Sequence, residues 1–405
     1  MMFPLPFFIF LISPRFSRSA TTLSPPQPPP LLFFFKWIDI LRFKPNVEQV
    51  EMVKLFTVGP VACRPEVLIE MGRQMFSHRS KEYKELHQQT VQRLQKFIET
   101  KGKVFLFPSS GSGVMEATVR NCVERKMLCC INGEFGKRYA NVGESNGKIV
   151  VRLEAELGKP ITPEALDKKL SSVPDVEAVA ITYNETSVGL LNPLPRLAKV
   201  VKKHGKLLFV DAVSAMGGVE LKVDEWGIDV CFASSQKCFG VPPGLAVANV
   251  SEEALERSAR IKGKGWYFDF KLYEKYQEKE GGTHMTPPIP QILALNKELE
   301  LIEAEGGKRK RLEFCLRRMQ KIREGIEDLS LSLFPQRGYE SPTVACVNAQ
   351  GDERARVYER MRARGFELAK GYGELKERTF RIGNMGYIRL EDIDEMLRAL
   401  AEAVK

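Results

Sequence analysis

From residue 103 onward, short apolar runs alternate with stretches whose apolar positions recur every three or four residues. "KVFLF" leads into "GVMEATVRNCVE", "MLCCI" into "EFGKRYANVGES" and "EAVAITY" into "LPRLAKVVKKHG". "KLLFV", "DVCFA" and "LAVANV" follow. Runs that are apolar on both faces suit strands covered on both sides, and the periodic stretches between them suit amphipathic helices. The alternation predicts an α/β fold, a mostly parallel sheet flanked by helices. Ligands of such sheets gather at the carboxyl ends of the strands, so chemistry is sought there.

After residue 290 the pattern changes to a long amphipathic helix from "PQILALNKELELIEAEGG" onward, then short strands at "TVACVNA" and "RTFRIGN" with helices at "DERARVYERMRARG" and "LEDIDEMLRALAEAVK". This predicts a large domain over residues 52–290 and a smaller α+β domain over 291–405. Residues 1–51 match neither. Their apolar run is broken by prolines, is too short to span a bilayer, and precedes its first positive charge. They are expected to be a tail or an over-extended start, with no secretory signal and no membrane anchor.

Composition narrows the class. The 405 residues are 43% hydrophobic and 28% charged, values of a soluble globular protein. The net charge of +10 raises nucleic acid as a partner, but basic residues mostly alternate with acids. The densest run, "GGKRKRLEFCLRRMQKIRE", lacks interleaved aromatics and reads as a solvated helix face. The cysteines at 63, 122, 129, 130, 231, 238, 315 and 346 show no CxxC spacing, and several sit in apolar runs. Buried thiols in a reducing, cytoplasmic compartment are the expectation. The histidines at 78, 87, 204 and 284 stand singly, so no metal site is expected.

Chemistry-bearing residues fall at separate strand ends. In "FLFPSSGSGVMEA" a strand, a Ser/Gly turn and a helix start make an anion site, with a helix cap or a dinucleotide turn as rivals. The dinucleotide reading uses Gly111, Gly113 and Glu134, but Glu116 stands where a third glycine is needed. "KLLFVDAVSAMGG" ends an apolar strand in Asp211, a carboxylate that alone reads equally as a turn cap. Lys237 lies 26 residues further on among small and apolar residues in "SSQKCFGVPPG", where an ammonium is poorly hydrated. Arg381 in "RTFRIGNMG" is placed to grip a carboxylate, or to form a surface ion pair. A phosphate cradle, an acid, a partly desolvated lysine and a carboxylate clamp together are what pyridoxal 5'-phosphate needs. The lysine condenses with the aldehyde, and the acid keeps the pyridine nitrogen protonated.

From about residue 55 to 390 the chain resembles the class V aminotransferases of fold type I, especially the alanine/serine–glyoxylate (serine–pyruvate) group. The resemblance rests on "TVGPVACRPEVL", "FSHRSKEY", "SSGSGVMEA", "GEFGKRYA", "YNETSVG", "DAVSAMGG", "SSQKCFGVPPG", "GGTHMTPPIPQ" and "RTFRIGNMG", in the family's order. It implies that Ser110, Gly111 and Ser112 hold the phosphate with help from Gln236. Phe135 would stack on the ring where the family often has tryptophan, and Thr186 would contact the ring hydroxyl. Asp211 would meet the ring nitrogen and Lys237 the aldehyde carbon. Thr283 and Thr286 would reach the phosphate of a neighbouring subunit, implying a homodimer with shared sites, although position 283 is often tyrosine in the glyoxylate enzymes. Arg381 would bind the substrate's α-carboxylate, with the backbone near Gly59 and Pro60 lining the pocket.

The implied reaction moves an amino group from alanine or serine to glyoxylate or pyruvate. Phosphoserine and aspartate aminotransferases stay open, the former through His78 and Arg79 as extra basic groups. A cysteine-desulfurase-like lyase is the weaker reading. Gln236 stands where such lyases have His, and Cys315 and Cys346 fall in a helix and a strand instead of a mobile loop. A nicotinamide-dependent dehydrogenase rests on the GxG turn alone, and a nucleic-acid-binding protein on net charge alone.

Overall fold

The computed structural model describes residues 53–349 and 351–405. The amino-terminal segment read above as a tail or over-extended start lies outside the described residues. Thirteen strands are numbered in chain order: β1 (Lys54–Phe56), β2 (Lys103–Phe107), β3 (Lys126–Ile131), β4 (Ile149–Glu154), β5 (Ala178–Thr182), β6 (Asn184–Glu185), β7 (Leu190–Leu191), β8 (Leu207–Asp211), β9 (Val230–Ser234), β10 (Ala246–Val250), β11 (Val344–Asn348), β12 (Phe366–Lys370) and β13 (Thr379–Gly383).

Seven of them form the main sheet in the order β2-β10-β9-β8-β5-β3-β4. The pairs among β9, β8, β5, β3 and β4 are parallel, while β10 runs antiparallel to both β9 and β2. The apolar runs that predict strands are those buried from both sides. Leu208 and Val210 of β8 join Cys231 and Ala233 of β9 in one core cluster, while Leu207 and Phe209 join Val230 and Phe232 in the other. Alternate side chains thus feed the two faces, each covered by helices. The edge strand β4 is less buried, which is why its sequence carries Arg152 and Glu154.

A second sheet has the order β1-β12-β13-β11. Its first strand comes from the described start of the chain and pairs in parallel with β12, Phe56 opposite Leu368. Phe56 packs there with Phe366, Phe380 and Ile382. The long helix expected after residue 290 is two helices, Ile289–Ala304 and Gly307–Asp328, because Gly306 takes φ +104° between them. The basic run does form the second helix, but Arg311 and Arg318 are buried in it and donate to main-chain carbonyls. All eight cysteines are free, and all but Cys63 are buried. Among the described residues no helix is long and apolar enough to cross a membrane.

Candidate active site

Asp211 sits where the apolar run of β8 stops, and Lys237 follows the end of β9. The Asp211 carboxylate is buried and its Oδ1 accepts from the Val213 N–H at 2.9 Å. Burial pushes its pKa up to about 7, and the neighbouring Glu185 adds to this, against the pull of the Val213 amide, Lys237 and Arg138. Lys237 Nζ donates to the Val58 carbonyl at 2.5 Å. Burial brings its pKa down to about 8, reinforced by the Arg381 guanidinium and opposed by Cys238 and Asp211. A lysine with a raised neutral fraction and an acid of similar pKa therefore lie within electrostatic reach of each other.

The turn between β2 and the helix Gly111–Cys122 is the candidate anion cradle. Ser110 is the N-cap residue, yet its hydroxyl makes no capping hydrogen bond. The Gly111 N–H donates to Ser234 Oγ at 2.8 Å, and a Cβ at position 111 would come within 2.5 Å of the Val213 side chain. Ser112 Oγ accepts from Arg138 Nη1 at 3.3 Å. Gln236 Oε1 is buried without a hydrogen-bond partner in the protein. Turning that amide over presents its NH2 instead, a donor suited to a phosphate.

Arg381, on β13, is buried and held by main-chain carbonyls: Nε and Nη2 donate to Lys370 O at 3.0 and 2.8 Å, and Nη1 to Thr186 O at 3.1 Å. A guanidinium has five N–H donors, so two remain for a ligand. No carboxylate pairs with it among the described residues, and burial lowers its pKa. Thr186 also places its hydroxyl 2.6 Å from Ser214 Oγ. The structure thus brings Ser110, Gly111, Ser112, Phe135, Thr186, Asp211, Gln236, Lys237, Arg381 and the backbone at Gly59 to the carboxyl end of the sheet.

Thr283 and Thr286 stand apart. Thr283 Oγ1 donates to Met285 O at 2.7 Å, its carbonyl accepts from Arg79 Nη1 at 3.3 Å, and Thr286 is exposed. Among the described residues neither is hydrogen-bonded to the cradle of its own subunit.

Three residues join the site without having been singled out in the sequence. Glu185 is fully buried and accepts from the N–H groups of Phe135, Gly136 and Ser187, anchoring the start of the helix Glu134–Ser145. Burial raises its pKa despite those bonds. Arg138 lies one helical turn beyond Phe135, with its guanidinium 4.8 Å from that ring's centroid. Tyr372 stacks on Phe135 with centroids 5.9 Å apart and planes 16° from parallel. The spacing "FGKR" was a legible hint for Arg138. Nothing local marked Tyr372, because its place depends on how β12 and β13 pack.

These groups fit pyridoxal phosphate: a serine hydroxyl not used in capping and a spare amide at a helix start, a poorly hydrated lysine, a buried acid and an aromatic wall. The sequence profile described as Aminotransferase class-V matches residues 69–394, and the chain belongs to that family. It is a pyridoxal-phosphate-dependent transaminase of fold type I. An uncharacterized aminotransferase of Methanocaldococcus jannaschii is 34% identical, covering 88% of this chain and 94% of its own. The 2-aminoethylphosphonate–pyruvate transaminase of Pseudomonas aeruginosa is 31% identical, covering 87% and 96%. Among solved structures the chain is similar to an alanine–glyoxylate aminotransferase from Nostoc sp., with TM-score 0.84, 29% identity and coverage of 91% and 99%.

Proposed function

We propose that the enzyme moves an amino group from a small amino acid, alanine or serine, to a small oxo acid, glyoxylate or pyruvate. The observation that carries this is Arg381, whose guanidinium spends three donors on main-chain carbonyls and keeps two for a ligand carboxylate. Similarity to the Nostoc structure supports small partners for that clamp.

When bound, pyridoxal phosphate supplies the electron sink that stabilises negative charge on the α-carbon. Ser110, Gly111, Ser112 and Gln236 would hold its phosphate, Phe135 would lie against its ring, Thr186 would meet its hydroxyl, and Asp211 would pair with its ring nitrogen. Asp211 is costly to ionise alone in this setting, and a protonated ring nitrogen is the cation that offsets the cost. Lys237 would bond the aldehyde, and its Nζ would serve as the base for the α-proton, a task suited to an amine whose pKa burial brings down to about 8. Arg381 takes the α-carboxylate end-on and so fixes which α-bond is presented. Thr283 and Thr286, which make no hydrogen bond to the cradle within this chain, are assigned to the partner's phosphate in a homodimer.

A second reading has one observation in its favour. Arg138 reaches Ser112 and Tyr372 but pairs with no carboxylate among the described residues, so it suits a substrate with a second anionic group, as a phospho- or phosphono-amino acid or aspartate has. A panel of alanine, serine, aspartate and phosphoserine against glyoxylate, pyruvate and 2-oxoglutarate separates these, with 2-aminoethylphosphonate, which has no α-carboxylate, as a further donor. The highest kcat/KM on alanine or serine with glyoxylate or pyruvate supports the first reading, a preference for aspartate or phosphoserine replaces it with the second, and a preference for 2-aminoethylphosphonate contradicts the α-carboxylate role of Arg381.

A further inference from the structure

The segment "GYGEL" between β12 and β13 carries Tyr372 to the start of the helix Glu134–Ser145. Gly373 takes φ +58°, and the Glu134 side chain lies so close that a Cβ there would come within 2.3–2.4 Å of it. That contact seats the segment on the helix that bears Phe135 and Arg138. Tyr372 then makes separate contacts through its ring and its hydroxyl. Its ring stacks on Phe135 and has Arg381 Cζ 5.6 Å from its centroid, while Lys370, two residues earlier, gives its carbonyl to the same guanidinium. Its Oη accepts from Arg138 Nη2 at 2.9 Å, and Arg138 Nη1 reaches Ser112 Oγ in the cradle at 3.3 Å.

A free arginine side chain has much rotamer freedom, and a bidentate grip needs the guanidinium plane fixed beforehand. The carbonyls of Lys370 and Thr186 meet the edge of the guanidinium and leave its face to other groups. An aromatic face restrains it and attracts the cation as well.

We propose that Tyr372 is a positioning residue: its ring holds the Arg381 guanidinium for the substrate carboxylate, and its hydroxyl ties that clamp through Arg138 to Ser112 of the cofactor cradle. This rests on the reading of Arg381 as the α-carboxylate clamp. The parts separate by substitution. Tyr372→Ala removes ring and hydroxyl, whereas Tyr372→Phe keeps the ring and cuts only the arm to Arg138. Tyr372 is 39% exposed, so truncation leaves no sealed cavity, and Tyr372→Leu serves as a second ring-less variant.

The test measures the dissociation constant of propionate, an unreactive carboxylate, on the cofactor-loaded enzyme. Alongside it come the KM values of donor and acceptor, and the dissociation constant of pyridoxal phosphate from cofactor-stripped protein. Tyr372→Ala and Tyr372→Leu are expected to weaken propionate and raise both KM values by a common factor of about fivefold, the scale of a partly desolvated cation–aromatic contact. Tyr372→Phe is expected to keep those within about twofold while weakening pyridoxal phosphate by about fivefold, the scale of one net hydrogen bond. Unchanged propionate affinity in both ring-less variants overturns the role of the ring, and unchanged cofactor affinity in Tyr372→Phe overturns the arm. Arg381→Ala separates the levels. If it leaves propionate binding intact, the clamp reading itself fails; if it abolishes binding while the ring-less variants do not move it, only the Tyr372 proposal falls.

Discussion

The outer carbons and Nζ of Lys237 run directly over the bare Cα of Gly59, where an added Cβ would lie 2.6–2.8 Å from them. Gly59 also holds φ +115°, a conformation that side chains rarely adopt, and the preceding residue Val58 supplies the carbonyl that receives the lysine's N–H. The backbone at 58–59 is therefore one wall of the lysine's channel.

Gly59→Ala is accordingly expected to displace Lys237 and to strain the backbone by about 1–3 kcal/mol. Since misplacing a reacting group by about 1 Å costs roughly a hundredfold, turnover should fall on that scale. Steady-state kinetics and thermal unfolding check this together. A variant with wild-type kcat would mean that the lysine does not need the space.

Asp211 makes a pH-dependent prediction. An ordinary aspartate loses its proton near 3.8, but Asp211 keeps it until about 7, so between these values the folded cofactor-free protein binds more protons than the unfolded chain. Stability then falls as pH rises through that window. Lys237 works the other way: released at about 8 instead of 10.5, its proton is held more tightly unfolded, so its contribution improves from about 8 upward. Both are group contributions, with Glu185 and Arg138 as further charged neighbours of Asp211. Asp211→Asn in cofactor-stripped protein should thus gain in Tm relative to wild type at pH 7.5, and the gain should shrink by pH 4.5. A difference in Tm that ignores pH contradicts the raised pKa. In the loaded enzyme the same substitution should cost on the order of 3 kcal/mol in the barrier to kcat, the scale of losing one well-aimed electrostatic partner.

Arg381→Lys replaces a planar fork with a point charge and abandons the carbonyls of Lys370 and Thr186 that hold it. KM should rise and kcat should fall for donor and acceptor alike, because amino acid and oxo acid share the carboxylate. Kinetics of both half-reactions measure it, and an effect confined to one of them argues against a shared clamp.

Desulfurase chemistry needs a reactive thiolate, and among the described residues the thiol beside Arg381 is a buried one. Cys346 stands opposite Arg381 on β11, where burial pushes its pKa up to about 11. Incubation with cysteine should release no sulfide, whereas sulfide without any need for an oxo acid would move the protein out of the transaminases.

The legible parts of the sequence were those whose chemistry is local. β8 and β9 could be read because each is an unbroken apolar run closed by a polar residue, and Asp211 and Lys237 were found because strand ends are where such sheets expose chemistry. Ser110–Ser112 showed as a turn opening a helix. The edge strand β4 is harder to read because none of its residues is fully buried and Arg152 and Glu154 interrupt its apolar run. Glu185 resembles any surface glutamate until the fold buries it under the helix at Phe135. Tyr372 is legible least of all, since its contacts to Phe135 and Arg138 join segments far apart in the chain.

The most direct test of the account is where the cofactor becomes fixed. Borohydride reduction of the purified holoenzyme, followed by proteolysis and mass spectrometry, should place the pyridoxyl group on the peptide containing Lys237, the lysine that burial depresses to about 8 beside Asp211 and Arg381. Lys237→Ala should still bind pyridoxal phosphate through the cradle but give no reduced adduct and no turnover. An adduct on a different lysine, or undiminished transamination by Lys237→Ala, would contradict the assignment of the site.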